Sequence, residues 1–316
     1  MKRRTVLTSG LALSAASAVR AQARTKIVYG YTAVTDYATV FVAIEENFFA
    51  KRGLDVEAKF IPLNPTIAPG IESGSLQIGG PTPSSYLQGI EGGLDHVVIG
   101  GGGAFSKSYT EIALAARAGS GIRTAADCVG KKIGVPGFGA LLHVTFRQWL
   151  TQNGVDWKRV NFVEASFPQH ADLIRGASVD AVVSGGPFLL RILESGSGYV
   201  ASYYTTFLPE GNPTILHAAR RDWAAQNPAA VKGFKEAISE SAAWMKQPAN
   251  DAKLRETLSK YLKVPPAIAM KMQISPPQPV VTEKHLQWWA SMMKDQQMLK
   301  GNIDLAKLRE IGRAHV

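Results

Sequence analysis

The stretch KKIGVPGFGALLHVTFRQWLTQNG, Lys131 to Gly154, reads as a strand, a glycine-rich turn and a helix in immediate succession. Ile133 and Val135 form a short apolar run, Pro136, Gly137 and Gly139 interrupt it, and Leu142, Phe146, Trp149 and Leu150 recur at helical spacing. Gly154 stands where a helix closes on a left-handed residue. A turn so placed presents unpaired N–H groups and the positive end of a helix dipole, a natural seat for a carboxylate, sulfonate or phosphate. Gly137 and Gly139 leave room for close approach to the backbone. One such turn is ordinary in an α/β domain, but this chain repeats the arrangement.

Upstream, Thr25 to Tyr31 is a β-rich run, a helix follows over 36–50, and Leu54 to Pro62 alternates as a second strand. Ser75 to Gly80 gives a third strand, after which Thr82 is an N-cap with Pro83 at the first helical position. Strands are also expected at 97–99, 112–117, 161–164 and 180–184, with Gly185, Gly186 and Pro187 opening another helix. Strands alternating with helices predict α/β sheets that are largely parallel. From Ala224 the pattern is helical only, at 228–245, 251–262 and 283–299, punctuated by prolines. A length of 316 residues, 46% hydrophobic and 19% charged, suits two globular domains.

The two ends read differently. Residues 1–23 carry Lys2, Arg3 and Arg4, an apolar run from Val6 to Val19, and Ala21-Gln22-Ala23 as a cleavage site, which predicts an exported protein cut after Ala23. The Arg3-Arg4 pair is similar to a twin-arginine signal although Lys2 and Val6 depart from its usual flanks, and general secretion is the alternative. Removing that segment takes away four cations and lowers the formal charge from +10 to +6. This excess suits an anionic solute without requiring one. No basic run interleaved with aromatics points to nucleic acid. The single Cys128 cannot form an internal disulfide and is expected on a short helix. Residues 311–316, IGRAHV, read as a translated sequencing adaptor and are set apart from the fold.

At this point the chain resembles the periplasmic substrate-binding proteins of ABC importers, the group that includes nitrate, sulfonate, taurine and thiamine-pyrimidine-precursor binders. The residues that carry the resemblance are IVYGYTAVTDYATVFVAIEENFFAKRGLDVE (27–57), IESGSLQIGGPTPSSYLQGIEGG (71–93), DCVGKKIGVPGFGALLHVTFRQWLTQNGVDWKRVNF (127–162) and IRGASVDAVVSGGPF (174–188). It implies a two-lobed periplasmic-binding-protein fold of the type II kind. The first lobe would hold 24–116 and 216–310, the second 117–215, with crossings near 112–119 and 214–220 and the helical tail packed on the first lobe. It further implies a monomer that hands a small solute to a membrane permease and its ATPase.

In open α/β sheets solutes lie at the C-terminal ends of strands, where helices begin. Four turns qualify, at 32–37, 81–85, 136–143 and 184–188. They nominate Thr35, Asp36, Tyr37, Thr82, Pro83, Ser84, Gly137, Phe138, Gly139, Ala140, His143, Gly185, Gly186 and Phe188, with Phe105 nearby. Thr35, Asp36, Thr82 and Ser84 are equally suited to plain helix capping, the aromatics to core packing, and His143 to a structural hydrogen bond. His170, beside Pro168, reads as surface. No nucleophile elbow, metal-binding histidine pair, P-loop or complete dinucleotide fingerprint is present, and no cofactor is expected. The expected ligand is an alkyl or aromatic sulfonate or carboxylate, with a pyrimidine-like heterocycle second. An enzyme of the pyrimidine-precursor synthase kind is the rival reading, disfavoured by the single cysteine and the export segment.

Overall fold

The computed structural model describes residues 24–206 and 208–309. The export segment, its cleavage site and the terminal hexapeptide lie outside the described residues. Two five-stranded sheets organise the rest. The first begins with β1 (Thr25–Tyr31), α1 (Ala38–Glu45), β2 (Leu54–Phe60), α2 (Ile67–Glu72), β3 (Ile78–Gly79), α3 (Pro83–Glu91) and β4 (His96–Gly101). The chain then crosses to the second sheet, which holds β5 (Ile112–Arg117), β6 (Lys132–Val135), α4 (Leu141–Gln152), β7 (Asn161–Glu164), α5 (His170–Arg175), β8 (Ala181–Gly185), α6 (Gly186–Glu194) and β9 (Gly198–Ser202). It returns through β10 (Leu216–Arg220) to the first.

The strand orders, β2-β1-β3-β10-β4 and β7-β6-β8-β5-β9, are the same pattern twice. In each sheet the strand that has crossed over lies fourth and runs antiparallel to both neighbours. Covering both faces of a sheet buries its inner strands throughout, which is why β5 is IALAAR and fully apolar up to Arg117. At the centre of the second sheet, α4 ends on Asn153 and Gly154 follows with φ +74°, the left-handed position that glycine adopts without strain.

After β10 come α7 (Arg221–Gln226), α8 (Pro228–Met245), α9 (Asp251–Leu262), α10 (Pro266–Lys271) and α11 (Glu283–Asp295). α8 and α9 pack on α1, and α11 packs on α3, all on the first lobe. Phe234 of α8 stacks on Tyr29 at 6.0 Å and on Phe49 at 5.1 Å. α10 instead reaches across to α6, where Lys271 Nζ lies 2.6 Å from Glu194 Oε1.

Between α10 and α11 the chain forms a strap over the first crossing segment. Gln273 N–H donates to Glu111 Oε1 (2.5 Å), Ala104 N–H to the Pro276 carbonyl (2.9 Å) and Gln278 N–H to the Gly102 carbonyl (2.7 Å). Gln278 Nε2 also donates to the Gly211 carbonyl (3.2 Å) in the returning segment. The strap therefore ties both connections between the lobes at one place.

Candidate functional site

The C-terminal ends of the central strands of both sheets face each other across one cavity of about 50 Å³. All four turns singled out in the sequence contribute to it: Asp36 and Tyr37 from the first, Thr82 from the second, Ala140, Leu141 and Leu142 from the third, Gly185 and Gly186 from the fourth. The lobes touch at its rim, where Gln88 Nε2 donates to the Gly139 carbonyl at 3.2 Å. A Cβ added to Gly139 would stand 2.6 Å from Gln88 Oε1, and one on Gly137 2.7 Å from Pro65 Cδ. Their lack of side chains is what lets the lobes meet.

The first-lobe wall is a hydrogen-bonded lattice. Tyr37 O–H donates to the Gly80 carbonyl (2.5 Å), and Asn64 Nδ2 donates to both Tyr37 Oη (3.0 Å) and that carbonyl (3.0 Å). Asn64 Oδ1 accepts from Thr82 N–H at 2.8 Å, while Thr82 Oγ1 caps α3 by accepting from Ser85 N–H at 3.3 Å. Asp36 Oδ1 accepts from the hydroxyls of Thr214, in the returning segment, and Ser275, in the strap. Burial raises the Asp36 carboxyl above its ordinary range, against the opposing pull of those hydroxyls.

On the second-lobe wall three N–H groups of the Gly-rich turn are already engaged. Phe138 N–H donates to Glu164 Oε1 (2.8 Å), Gly139 N–H to His143 Nδ1 (3.0 Å) and Ala140 N–H to the Gly137 carbonyl (3.2 Å). The free donors lie one step further on: among the described residues no acceptor takes the N–H of Leu141 or Leu142, the first two residues of α4. α6 offers less, because Gly186 N–H donates to the Glu111 carbonyl (3.1 Å) and Pro187 has none. His143 is held neutral, with burial pushing it down to about 3, and its Nδ1 is occupied as an acceptor.

The other nominated residues stand off the cavity. Thr35 Oγ1 bonds Tyr109 Oη at 3.0 Å, Pro83 occupies the first position of α3, and Ser84 is buried against Thr82. Phe105 packs on Trp289 behind the crossing segment, at 6.1 Å between centroids. Phe188 stacks behind Phe167, which does line the cavity, and Phe138 is 48% exposed at the rim. His170 is buried rather than on the surface, because Ser184 Oγ and the Ala165 carbonyl satisfy its two ring nitrogens at 3.0 Å each. Lining residues not foreseen include Asn64, Tyr109 and Thr214. Asn64-Pro65 follows the end of β2 and is a turn signal of the same kind as the four recognised. Thr214 likewise follows an Asn-Pro pair, Asn212-Pro213, whereas Tyr109 arrives from a crossing segment without such a pair.

A cavity closed between two lobes of this topology is the two-lobed periplasmic-binding-protein fold. A model described as NMT1/THI5 like matches residues 34–252, and the chain belongs to that family. The nitrate/nitrite binding protein NrtA of Synechocystis is 26% identical over 264 residues, covering 75% of this chain and 57% of its own length. A protein named only as a binding protein, from Brucella abortus, is 27% identical over 268 residues, covering 84% of this chain and 80% of its own. Among solved structures, the alkanesulfonate-binding protein SsuA of Xanthomonas axonopodis pv. citri bound to MOPS superposes with a TM-score of 0.77 at 17% identity, over 90% of this chain and 98% of that one. The desulfurization enzyme DSZB shares the fold at a TM-score of 0.62 and 14% identity, over 90% of this chain and 96% of that one.

Proposed function

We propose that the chain is the exported solute receptor of an ABC importer, which closes its lobes on a small organic anion and delivers it, as a monomer, to a permease and its ATPase in the inner membrane. The observation that carries the anion is the pair of free N–H groups at Leu141 and Leu142, at the positive end of a 12-residue helix that opens on the cavity. The cavity, about 50 Å³, is roughly a third of the ~150 Å³ that holds a benzene ring. That favours a short aliphatic carboxylate or sulfonate over an aromatic one. The names of the relatives, binders of nitrate and alkanesulfonate, are consistent with an anionic group.

A pyrimidine-like solute is the second reading, favoured by Asp36 in the wall. Binding without chemistry is supported by the state of the reactive side chains. The Cys128 thiol is buried and pushed up to about 12, bonded to the Thr124 carbonyl and away from the cavity, and His143 is neutral.

A melting screen over short carboxylates and sulfonates tests the receptor. At about 100 times its dissociation constant a bound solute stabilises the fold by about 2.7 kcal/mol, and X-ray scattering should show a smaller radius with it. A series in which no member moves the melt rejects the reading. Mass spectrometry of exported protein should find Arg24 as the first residue; retention of Met1 would remove the periplasmic assignment.

A further inference from the structure

Arg147 lies on the second lobe, further along α4 than the turn that meets the cavity, and is 6% exposed. No ion pair among the described residues includes it. Its guanidinium lies over the Trp157 ring at 3.5 Å, Nη2 donates to the Gln296 carbonyl at 3.1 Å, and Nε has no acceptor among the described residues. Gln296 follows the last residue of α11, on the first lobe, and returns the contact. Its Nε2 donates to the Val144 carbonyl (3.0 Å) and to Gln148 Oε1 (3.3 Å), both on α4. The lobes are thus joined at a place where neither Val144, Arg147, Gln148 nor Gln296 lines the solute cavity.

Two costs meet in this joint. A buried cation with no carboxylate beside it is unfavourable, and burial pulls the Arg147 guanidinium down to about 10. Gln297, the residue after the helix cap, takes φ +57°, a left-handed conformation that a side chain disfavours. They are offset by the face of Trp157 and by the carboxyl end of a 13-residue helix, whose dipole attracts a cation. Of these two, only the helix end belongs to the other lobe. Parting the lobes therefore leaves Arg147 on Trp157 and takes away its acceptor. A groove of about 400 Å³ bordered by Gln148, Trp157 and Gln296 brings water to these groups as they separate.

We infer that Arg147 is a positioning residue for solute retention: docked on the end of α11, it keeps a share of the molecules closed even without solute, and it slows release without touching what is bound. This rests on the receptor reading. It separates how long a solute is held from which solute the cavity accepts.

The test begins without solute, by X-ray scattering on the wild type, Arg147→Met and Gln296→Ala. Methionine keeps an unbranched stem over Trp157 and removes the charge and the donors. Because it replaces a lone buried cation by an apolar group, the melting temperature should hold or rise. The radius of gyration should nevertheless increase in both variants, as the ratio of closed to open molecules falls about tenfold or more. A merely structural Arg147 predicts the reverse, a lower melting temperature at an unchanged radius. Radii equal to that of the wild type overturn the inference and leave the receptor reading standing. Should Arg147→Met fail to fold, Gln296→Ala decides. Stopped-flow titration with nitrate, propionate and propanesulfonate gives a second readout. Any of them that binds the wild type should leave Arg147→Met about tenfold faster, with association unchanged or faster. Dissociation at the wild-type rate overturns the inference.

Discussion

Leu141 occupies a position at which one atom can be removed almost cleanly. It is the first residue of α4, where proline is favoured, and Ala140 before it has φ −74° and ψ 169°, the extended geometry that a following proline requires. Leu141→Pro therefore deletes an N–H that no described residue accepts and keeps the helix. With the solute found by the melting screen, Leu141→Pro should weaken binding about tenfold or more, from the lower end of the ~1.5–3 kcal/mol of a hydrogen bond to a charged group, while the melting temperature without solute stays within a few degrees. Leu141→Ala serves as the control for the lost side chain and should bind more tightly than the proline variant. Equal affinities in the two would show that the start of α4 holds no anion. Asn64 illustrates what local pattern omits. Its importance lies in bonds to Tyr37, Gly80 and Thr82, 16 to 27 residues away, and periodicity carries no record of such partners.

The elements divide by how much of their reason for existing is local. β1, β5 and β7 and helices α8 and α9 coincide with the expected runs because alternation, apolar continuity or 3.6-residue spacing was strong and bounded by glycine, proline or a cap. β9, GYVAS, is a half-buried edge strand flanked by Ser-Gly, and its pairing with β5 is what makes it a strand. α10, PAIAMK, is a six-residue helix too short to show a period. The aromatics were ambiguous in sequence for the same reason: Phe105 and Phe138 both adjoin glycine-rich turns, yet one is core and the other half exposed. α11 marks the difference in stability terms. Trp289 is fully buried on that helix and donates from Nε1 to the Pro213 carbonyl at 3.3 Å in the returning segment. Trp289→Ala should lower stability by about 3–5 kcal/mol in urea denaturation, and Phe138→Ala by about 0.5 kcal/mol or less. A small loss at Trp289 would mean that α11 does not anchor that connection.

Across the whole molecule buried histidines link stability to pH, and burial holds His96, too, below its ordinary value. Burial holds His170 down to about 4, and His143 and His217 to about 3. Below about pH 6.5 the unfolded chain takes up protons on these rings that the folded chain refuses, so their contribution is present above 6.5 and lost as pH falls towards 4. Each unit in that window removes about 1.4 kcal/mol per ring. Glu111, pushed up to about 7 by burial, binds its proton in the folded state first and opposes the loss over the same interval. The net expectation from these three rings and Glu111 is a decrease of about 2 kcal/mol between pH 7.5 and 5.5, read from urea midpoints. An unchanged or higher midpoint at pH 5.5 would show that these rings are reached by water in the native state.

The exchange of strands between the two sheets also sets an order in time. Among the described residues β10 is the one strand that β4 pairs with, and its further bridge, Val98 to Arg309, lies later still in the chain, so until residues 216–220 exist β4 has no neighbour to join. The second sheet draws every strand from the unbroken interval 112–202. The middle of the chain can therefore finish its sheet while the beginning is still waiting for the end, and in pulse-labelled hydrogen exchange the amides of β5 to β9 should become protected before those of β4. During synthesis the lobe encoded first is the lobe completed last.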